Sequence, residues 1–338
     1  MKSDQSQRLR FLAVGSFAAL LAACSSAFAQ TKWDMTIPWN PSEFHAIKDQ
    51  QFADRVKAAT NGQVVITVHP SSSLGIKGPD TIRAVEDGTV PMGETIMAWM
   101  AGAEPALGME TLPLLVRNQG DLRIMHDIFR DDFVKAIERH NQKVIFISPW
   151  PPNQFFTNKE IKTVEDLKGL KMRTVDKNNA EFVKGLGMVP VTIGITDVVP
   201  ALASGALDAT MTSLSTAAAY KYWELEKYIW LTNHFWALNA VTVNLDAWKK
   251  LKPEQQAAIE KVAKEMEPTF WEMAAAEDAK QTEVFRSHGT IIRDPPPAVA
   301  EAMRTTARPI WRNFAKQVGG TVPAKLDEYL KKTGREGL

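Results

Sequence analysis

Thr163-Val164-Glu165-Asp166-Leu167-Lys168-Gly169-Leu170-Lys171-Met172-Arg173 reads as a polar turn followed by a short strand that delivers one arginine. Side chains alternate along a strand, so Met172 and Arg173 point to opposite faces. A guanidinium presents a planar fork of donors that matches a carboxylate bidentately. Pointed into a cleft, that fork captures an organic acid; on a surface it is a solvated arginine paired with a neighbour. The choice depends on the rest of the chain.

Upstream, Met35-Thr36-Ile37, Val64–Val68, a short run near Val90-Pro91-Met92 and Val144-Ile145-Phe146-Ile147 read as strands. The run 144–147 is apolar throughout, which predicts burial on both faces. Phe44, Ile47, Phe52, Val56 and Ala59 lie near helical spacing, and further helices are expected near Pro79–Asp87 and Asp121–His140. After Trp150 the pattern repeats. Strands are expected at Phe155-Phe156-Thr157, Lys171–Thr174, Val191-Thr192 and Ala209–Met211, with helices at Asn178–Leu186 and at Thr196–Ala203, the latter begun by a Thr cap. Val241–Asn244 is a later strand. Pro253 opens a helical stretch to about Ser287 with Pro268 inside it as a kink, and a final helix lies near Ala298–Gln317. Alternating strands and helices predict an α/β fold with mainly parallel sheets. At this length two lobes are expected, and a helix as long as 253–287 can lie across both.

The N-terminus reads as an export signal. Lys2, Arg8 and Arg10 precede an apolar run from Phe11 to Ala23, and Ala27-Phe28-Ala29 is a small-x-small cleavage site before Gln30. Leu21-Ala22-Ala23-Cys24 also resembles a lipobox, with Cys24 as the alternative first residue of a lipoprotein. Residues 1–29 are expected to be removed, leaving 309 of the 338 residues with no cysteine and a formal charge of −1 instead of +1. A fold that lacks disulfides in an oxidising compartment needs a large core. A near-neutral balance gives no electrostatic case for nucleic acid. His45, His69, His126, His140, His234 and His288 show no short metal-ligand spacing, and no nucleophile-elbow, phosphate-loop or dinucleotide fingerprint occurs. Neither a metal nor a cofactor is expected.

Several short motifs occur in a fixed order. They are Thr60-Asn61-Gly62 and Ser72-Ser73-Leu74-Gly75, Val85-Glu86-Asp87-Gly88 before Gly93-Glu94, Phe156-Thr157-Asn158-Lys159, and the Asp166–Arg173 stretch. Val199-Pro200-Ala201-Leu202 with Gly205-Ala206-Leu207-Asp208, Thr232-Asn233-His234, and Trp248 with Leu251 complete the series. In that order and spacing the chain resembles the periplasmic solute-binding subunits of TRAP transporters, the DctP-like family. The resemblance implies a two-lobed periplasmic binding protein fold. Lobe one would be 31–150 plus about 239–280, and lobe two 151–238 plus about 281–338. It implies a monomeric, non-catalytic receptor that closes on a small organic acid and passes it to ion-gradient-driven membrane subunits.

The matching arginine in that family clamps the solute carboxylate, which assigns this role to Arg173. Asn40 matches a position that often faces the solute, and Glu94 a cleft-facing acid that accepts from a solute hydroxyl. Asn153 stands where some members carry a second arginine, which weakens a dicarboxylate reading. Thr212 stands where many carry an asparagine that fixes the carboxylate. Among the aromatic residues, Trp150, Trp236 and Phe44, with Trp39, Trp99 and Phe235, are candidates for the pocket walls. A monocarboxylate is expected, aromatic or hydroxylated, with a sugar acid or a short 2-oxo acid as the alternatives. Two rivals are a secreted hydrolase using Glu94 and Asp208 as an acid–base pair, and the binding subunit of a chemosensory receptor.

Overall fold

The structure is a computed structural model that describes residues 30–337. The expected export signal, with Cys24, lies outside the described residues. A first sheet contains β1 (Thr31–Thr36), β2 (Val64–His69), β3 (Met92–Ile96), β4 (Gln142–Pro149) and β10 (Leu238–Asn244), in the order β2-β1-β3-β10-β4. A second contains β5 (Asn153–Thr157), β6 (Lys171–Thr174), β7 (Val189–Thr192), β8 (Ala209–Ser213), β9 (Tyr228–Trp230) and β11 (Ile291–Arg293), in the order β11-β9-β5-β8-β6-β7. The expected α/β class with two mainly parallel sheets is what the chain forms. In each sheet one strand runs against the rest: β10 is antiparallel to β3 and β4, and β5 to β8 and β9.

Each reversed strand follows directly on a crossing between the sheets. The chain passes from β4 to β5 through Trp150-Pro151-Pro152, and from β9 to β10 through 231–237. The two crossings lie side by side, tied by Trp150 N–H to Ala237 O at 2.9 Å and Asn153 N–H to Phe235 O at 2.9 Å. Prolines at 151 and 152 cannot donate to a ladder, so the pairing is interrupted between the sheets. That interruption makes a hinge.

Five long helices dress the sheets: α1 (Phe44–Ala59), α2 (Gln119–Glu138), α3 (Lys177–Gly185), and, after the short α4 (Leu214–Ala219), α5 (Pro253–Ser287) and α6 (Pro297–Val318). α5 runs unbroken through Pro268. It packs on α1 and β4 at one end and on α4 at the other, a third link between the lobes. A further helix, α7 (Val322–Lys332), packs on α2 in the first lobe, where Tyr329 Oη donates to Leu115 O at 3.0 Å. The sequence reading placed all of 281–338 with the second lobe; α6 does pack on α3 there, but α7 crosses back. β4 is an edge strand, so Val144 and Ile145 are half-buried instead of covered on both faces. Thr196 does not cap the helix Val198–Ala203; it lies inside the preceding turn Ile195–Asp197.

Candidate functional site

Arg173 sits in β6, between β7 and β8. Its neighbour Met172 is wholly buried in the core, and Arg173 itself is only 4% exposed. Its Nε donates to Ile193 O at 3.2 Å and its Nη1 to Met211 O at 3.1 Å, so the carbonyls of the two flanking segments fix the guanidinium plane. Among the described residues it forms no ion pair with a carboxylate. Asp176 lies near enough to interact electrostatically, but its side chain caps α3 through Asn179 N–H at 2.9 Å, and burial raises its carboxyl to about 6. Burial pushes the Arg173 pKa down, yet a guanidinium stays charged across any physiological range.

The unpaired side of Arg173 faces a narrow cavity between the lobes, about 30 Å³ for the centre of a water molecule within about 370 Å³ of atom-free space. Trp39, Ile96 and Trp99 line it from the first lobe. Trp150, Asn153, Phe235 and Ala237 line it from the hinge, and Val175, Ile195, Thr212, Ser213 and Thr216 from the second lobe. Trp39 and Trp99 stack with ring centroids 5.9 Å apart, and Trp39 meets Trp150 edge-on at 4.8 Å. Each indole N–H is held. Trp39 Nε1 donates to Glu94 Oε2 at 2.6 Å, Trp150 Nε1 to Asn239 Oδ1 at 2.7 Å, and Trp99 Nε1 reaches across the cleft to Val175 O at 3.3 Å. The seat of Trp99 requires Gly78, where an added Cβ would lie 2.4 Å from the indole ring. The walls are therefore rigid aromatic faces, with polar groups converging on one side.

Behind the Trp39–Trp150 wall lies a buried cluster of titratable groups. Lys48, Glu94, His45 and Asp49 are all fully buried. Lys48 Nζ bonds Glu94 Oε1, donates to Ser148 Oγ at 2.8 Å and lies 3.3 Å from Asp49 Oδ1, while His45 Nδ1 is 2.9 Å from Glu94 Oε1. Burial pushes the Glu94 carboxyl up, but Lys48 and His45 outweigh it and hold the group well below the usual range. Burial drives His45 down to about 4, so it is neutral near pH 7, and pushes the Asp49 carboxyl well up.

Of the expected site residues, Arg173, Asn153, Thr212 and Trp150 come together on the cavity. Four others do not line it. Glu94 has both oxygens engaged by Trp39, Lys48 and His45, so it braces the wall from behind and faces no cleft. Asn40 closes a turn, its Oδ1 accepting from Ser42 N–H at 3.0 Å and Ser42 Oγ at 2.8 Å. Phe44 is buried behind Trp150, their centroids 5.7 Å apart. Trp236 points away because side chains alternate along the extended hinge segment, which puts Phe235 and Ala237 on the cavity side. Asp208 is exposed and accepts from Lys171 N–H at 2.9 Å, so it shares no site with Glu94. Ser213 and Thr216 were missed. They lie where β8 runs into α4, and the crevice outside the carboxyl ends of strands is where α/β sheets bind ligands, a rule that would have found them. Among the described residues no group of three or more His, Asp or Glu side chains is placed to hold a metal ion.

The family described as bacterial extracellular solute-binding protein, family 7, matches residues 38–317. A TRAP solute-binding protein from a marine metagenome, specific for pyroglutamate, has a structure similar to this one, with a TM-score of 0.86 at 30% identity over 89% of this chain and 99% of that one. The Bordetella pertussis receptor DctP7, which binds pyroglutamic acid, gives a TM-score of 0.86 at 26% identity, over 88% of this chain and 99% of that one. The 2,3-diketo-L-gulonate-binding periplasmic protein YiaO of Escherichia coli is 27% identical over 76% of this chain and 80% of its own.

Proposed function

The chain belongs to bacterial extracellular solute-binding protein family 7, a family of TRAP transporter receptors, and from that premise we propose that it captures a small monocarboxylate between its lobes, Arg173 gripping the carboxylate. The observation that carries this reading is the buried guanidinium, held by two carbonyls and paired with no acid among the described residues. A buried charge without a counter-charge is costly. A solute carboxylate supplies the missing charge and fits the remaining side of the fork. Asn153, Thr212 and Ser213 add neutral polar groups beside it.

The small volume favours a compact acid over a long sugar acid. The stacked Trp39–Trp99 faces favour a flat or cyclic one, and the two pyroglutamate receptors among the relatives support that choice. The lobes part at the hinge segments, with lobe one built on the first sheet and lobe two on the second. Because the solute touches both, it favours the closed form by its extra contacts there. The closed receptor then delivers the solute, in the periplasm, to membrane subunits that draw on an ion gradient.

A thermal-shift and calorimetric screen of the solute-free mature protein against compact monocarboxylates, pyroglutamate included, tests this. Binding is expected for at least one ring acid, and a solute at 100 times its dissociation constant should stabilise the fold by about 2.7 kcal/mol. Arg173→Ala should remove that shift. A variant that binds as well as the parent would sink the anchor assignment.

A further inference from the structure

The cavity that faces Arg173 is closed by buried side chains on every side but one. Trp39, Trp150 and Phe235 are buried, so what stands behind each of them is packed protein. Trp99 is the only residue lining the cavity that is partly exposed. Beyond it lies a second and far roomier space, about 380 Å³ for the centre of a water molecule within about 1130 Å³ of atom-free space. Pro79, Ala101 and Pro105 of the first lobe line that space, with Glu181 of α3 and Ile310 and Phe314 of α6 opposite. The two spaces share Trp99 and Val175, and the bond from Trp99 Nε1 to Val175 O at 3.3 Å joins those two residues across the cleft. The indole is therefore the partition. Its stack on Trp39 at 5.9 Å and the room left by Gly78 hold it in that position.

We infer that Trp99 is a specificity-determining residue that sets the length of solute the site admits: its indole seals the compact pocket from the second space, and a smaller side chain there lets the tail of a longer monocarboxylate run through. This rests on the monocarboxylate reading, in which Arg173 holds the carboxylate end. The other aromatic walls cannot act in this way. Truncating Trp39 or Trp150 opens the pocket only onto the buried Glu94 and His45 behind them, a void with no exit. Truncating Trp99 joins two spaces, and Pro79, Ala101, Ile310 and Phe314 offer apolar surface to the methylenes of a tail. In the parent the same tail would have to displace the indole from its stack and break its bond to Val175 O.

The test compares pyroglutamate with octanoate, a long linear acid, by calorimetry on the solute-free mature protein. Trp99→Ala should bind octanoate about tenfold or more tightly than the parent does, a gain that about two buried methylenes supply at roughly fourfold each. It should bind pyroglutamate no more tightly than the parent, because a compact acid loses an aromatic face and reaches nothing beyond it. Trp99→Leu, which keeps an apolar side chain in place, should show a smaller gain in the same direction and carries the test if the alanine variant does not fold. Adding Arg173→Ala to Trp99→Ala should abolish octanoate binding, which ties the gain to the carboxylate anchor. The inference is overturned if the smaller side chains give no gain for octanoate, if they raise affinity for both acids equally, or if the gain survives the loss of Arg173. If the parent binds no compact monocarboxylate, or Arg173→Ala binds one normally, the monocarboxylate reading fails and takes this inference with it.

Discussion

Lys48 and Arg173 are both buried cations, and their surroundings differ completely. Lys48 meets a carboxylate, a second acid, an imidazole and a hydroxyl, all fully buried. Arg173 meets two carbonyls and an open cavity. The first arrangement is complete within the chain and can serve only the fold. The second has no counter-charge among the described residues, and in the proposed function a solute carboxylate supplies it. The carboxyls show the same contrast. Glu94 is ionised beside its cation, whereas Glu226, bonded to Thr210 Oγ1 at 2.9 Å, has no cation beside it among the described residues and is raised by burial to about 8.

The largest effect should come from breaking the complete cluster. Lys48→Met leaves Glu94 buried without its cation, and removing one partner of such a pair typically costs about 3–5 kcal/mol. Urea denaturation of the solute-free variant measures this; a loss under about 1 kcal/mol would show that the cluster is not closed as described. Arg173→Met should do the reverse. It relieves an unpaired buried charge, so the solute-free fold should hold or gain stability, while affinity for the acid falls by a factor of about 100 or more, the loss expected when a solute carboxylate is left without its partner. Equal losses of stability and affinity would place Arg173 among the structural cations.

A third effect concerns the neutral acid. Glu226 binds its proton in the folded state up to about pH 8 and in the unfolded state only up to the ordinary 4.5. Between those values the folded state holds more protons, so stability is greatest at the acid end and falls as pH rises towards 8. The slope is at most about 1.4 kcal/mol per pH unit for each such group. The histidines His45 and His234, lowered by burial to about 4 and about 3, still bind protons in the unfolded state near their ordinary 6.5 and oppose it there; above about pH 7.5 they are neutral in both states. Glu43, raised by burial to about the same value, adds an equal slope, so Glu226→Gln should make the stability profile less steep by one group's share near pH 7.5 to 8. An unchanged slope would mean that Glu226 is ionised like Glu94.

These distinctions were only partly legible in the sequence. Periodicity located α1, β2 and α5 closely, because long amphipathic or β-branched runs carry their own signal. The helix α7 was missed although Leu326, Tyr329 and Leu330 mark a buried stripe; in eleven residues that stripe spans little more than one repeat of the pattern. Arg173 was read from its motif, Asn153 and Thr212 from matching positions, and Trp150 as an aromatic candidate for the pocket wall; the structure brings all four to one cavity. Glu94 was read as facing the cleft because an acid beside a strand gives no hint of a lysine 46 residues earlier that neutralises it. The bond between Glu43 and Thr216 gave no sign at all. The two are 173 residues apart, and only the folded chain puts them together.

The smallest effect should come from a third treatment of charge, an ion pair left in water. Lys77 of the first lobe reaches Asp197 of the second at 2.8 Å, and both side chains are about half exposed, at 57% and 46%. The pair joins the two lobes, so a parting of the lobes would break it. In high dielectric its attraction is weak, and ordering two side chains opposes it. Lys77→Ala should therefore weaken solute binding by less than about threefold at low salt, and the difference should vanish near 1 M salt, where screening acts within about 3 Å. Calorimetry at the two salt concentrations separates the cases. A larger loss that survives high salt would mean that closure depends on this surface latch, and the contrast between complete and incomplete burial would no longer explain where the binding energy is held.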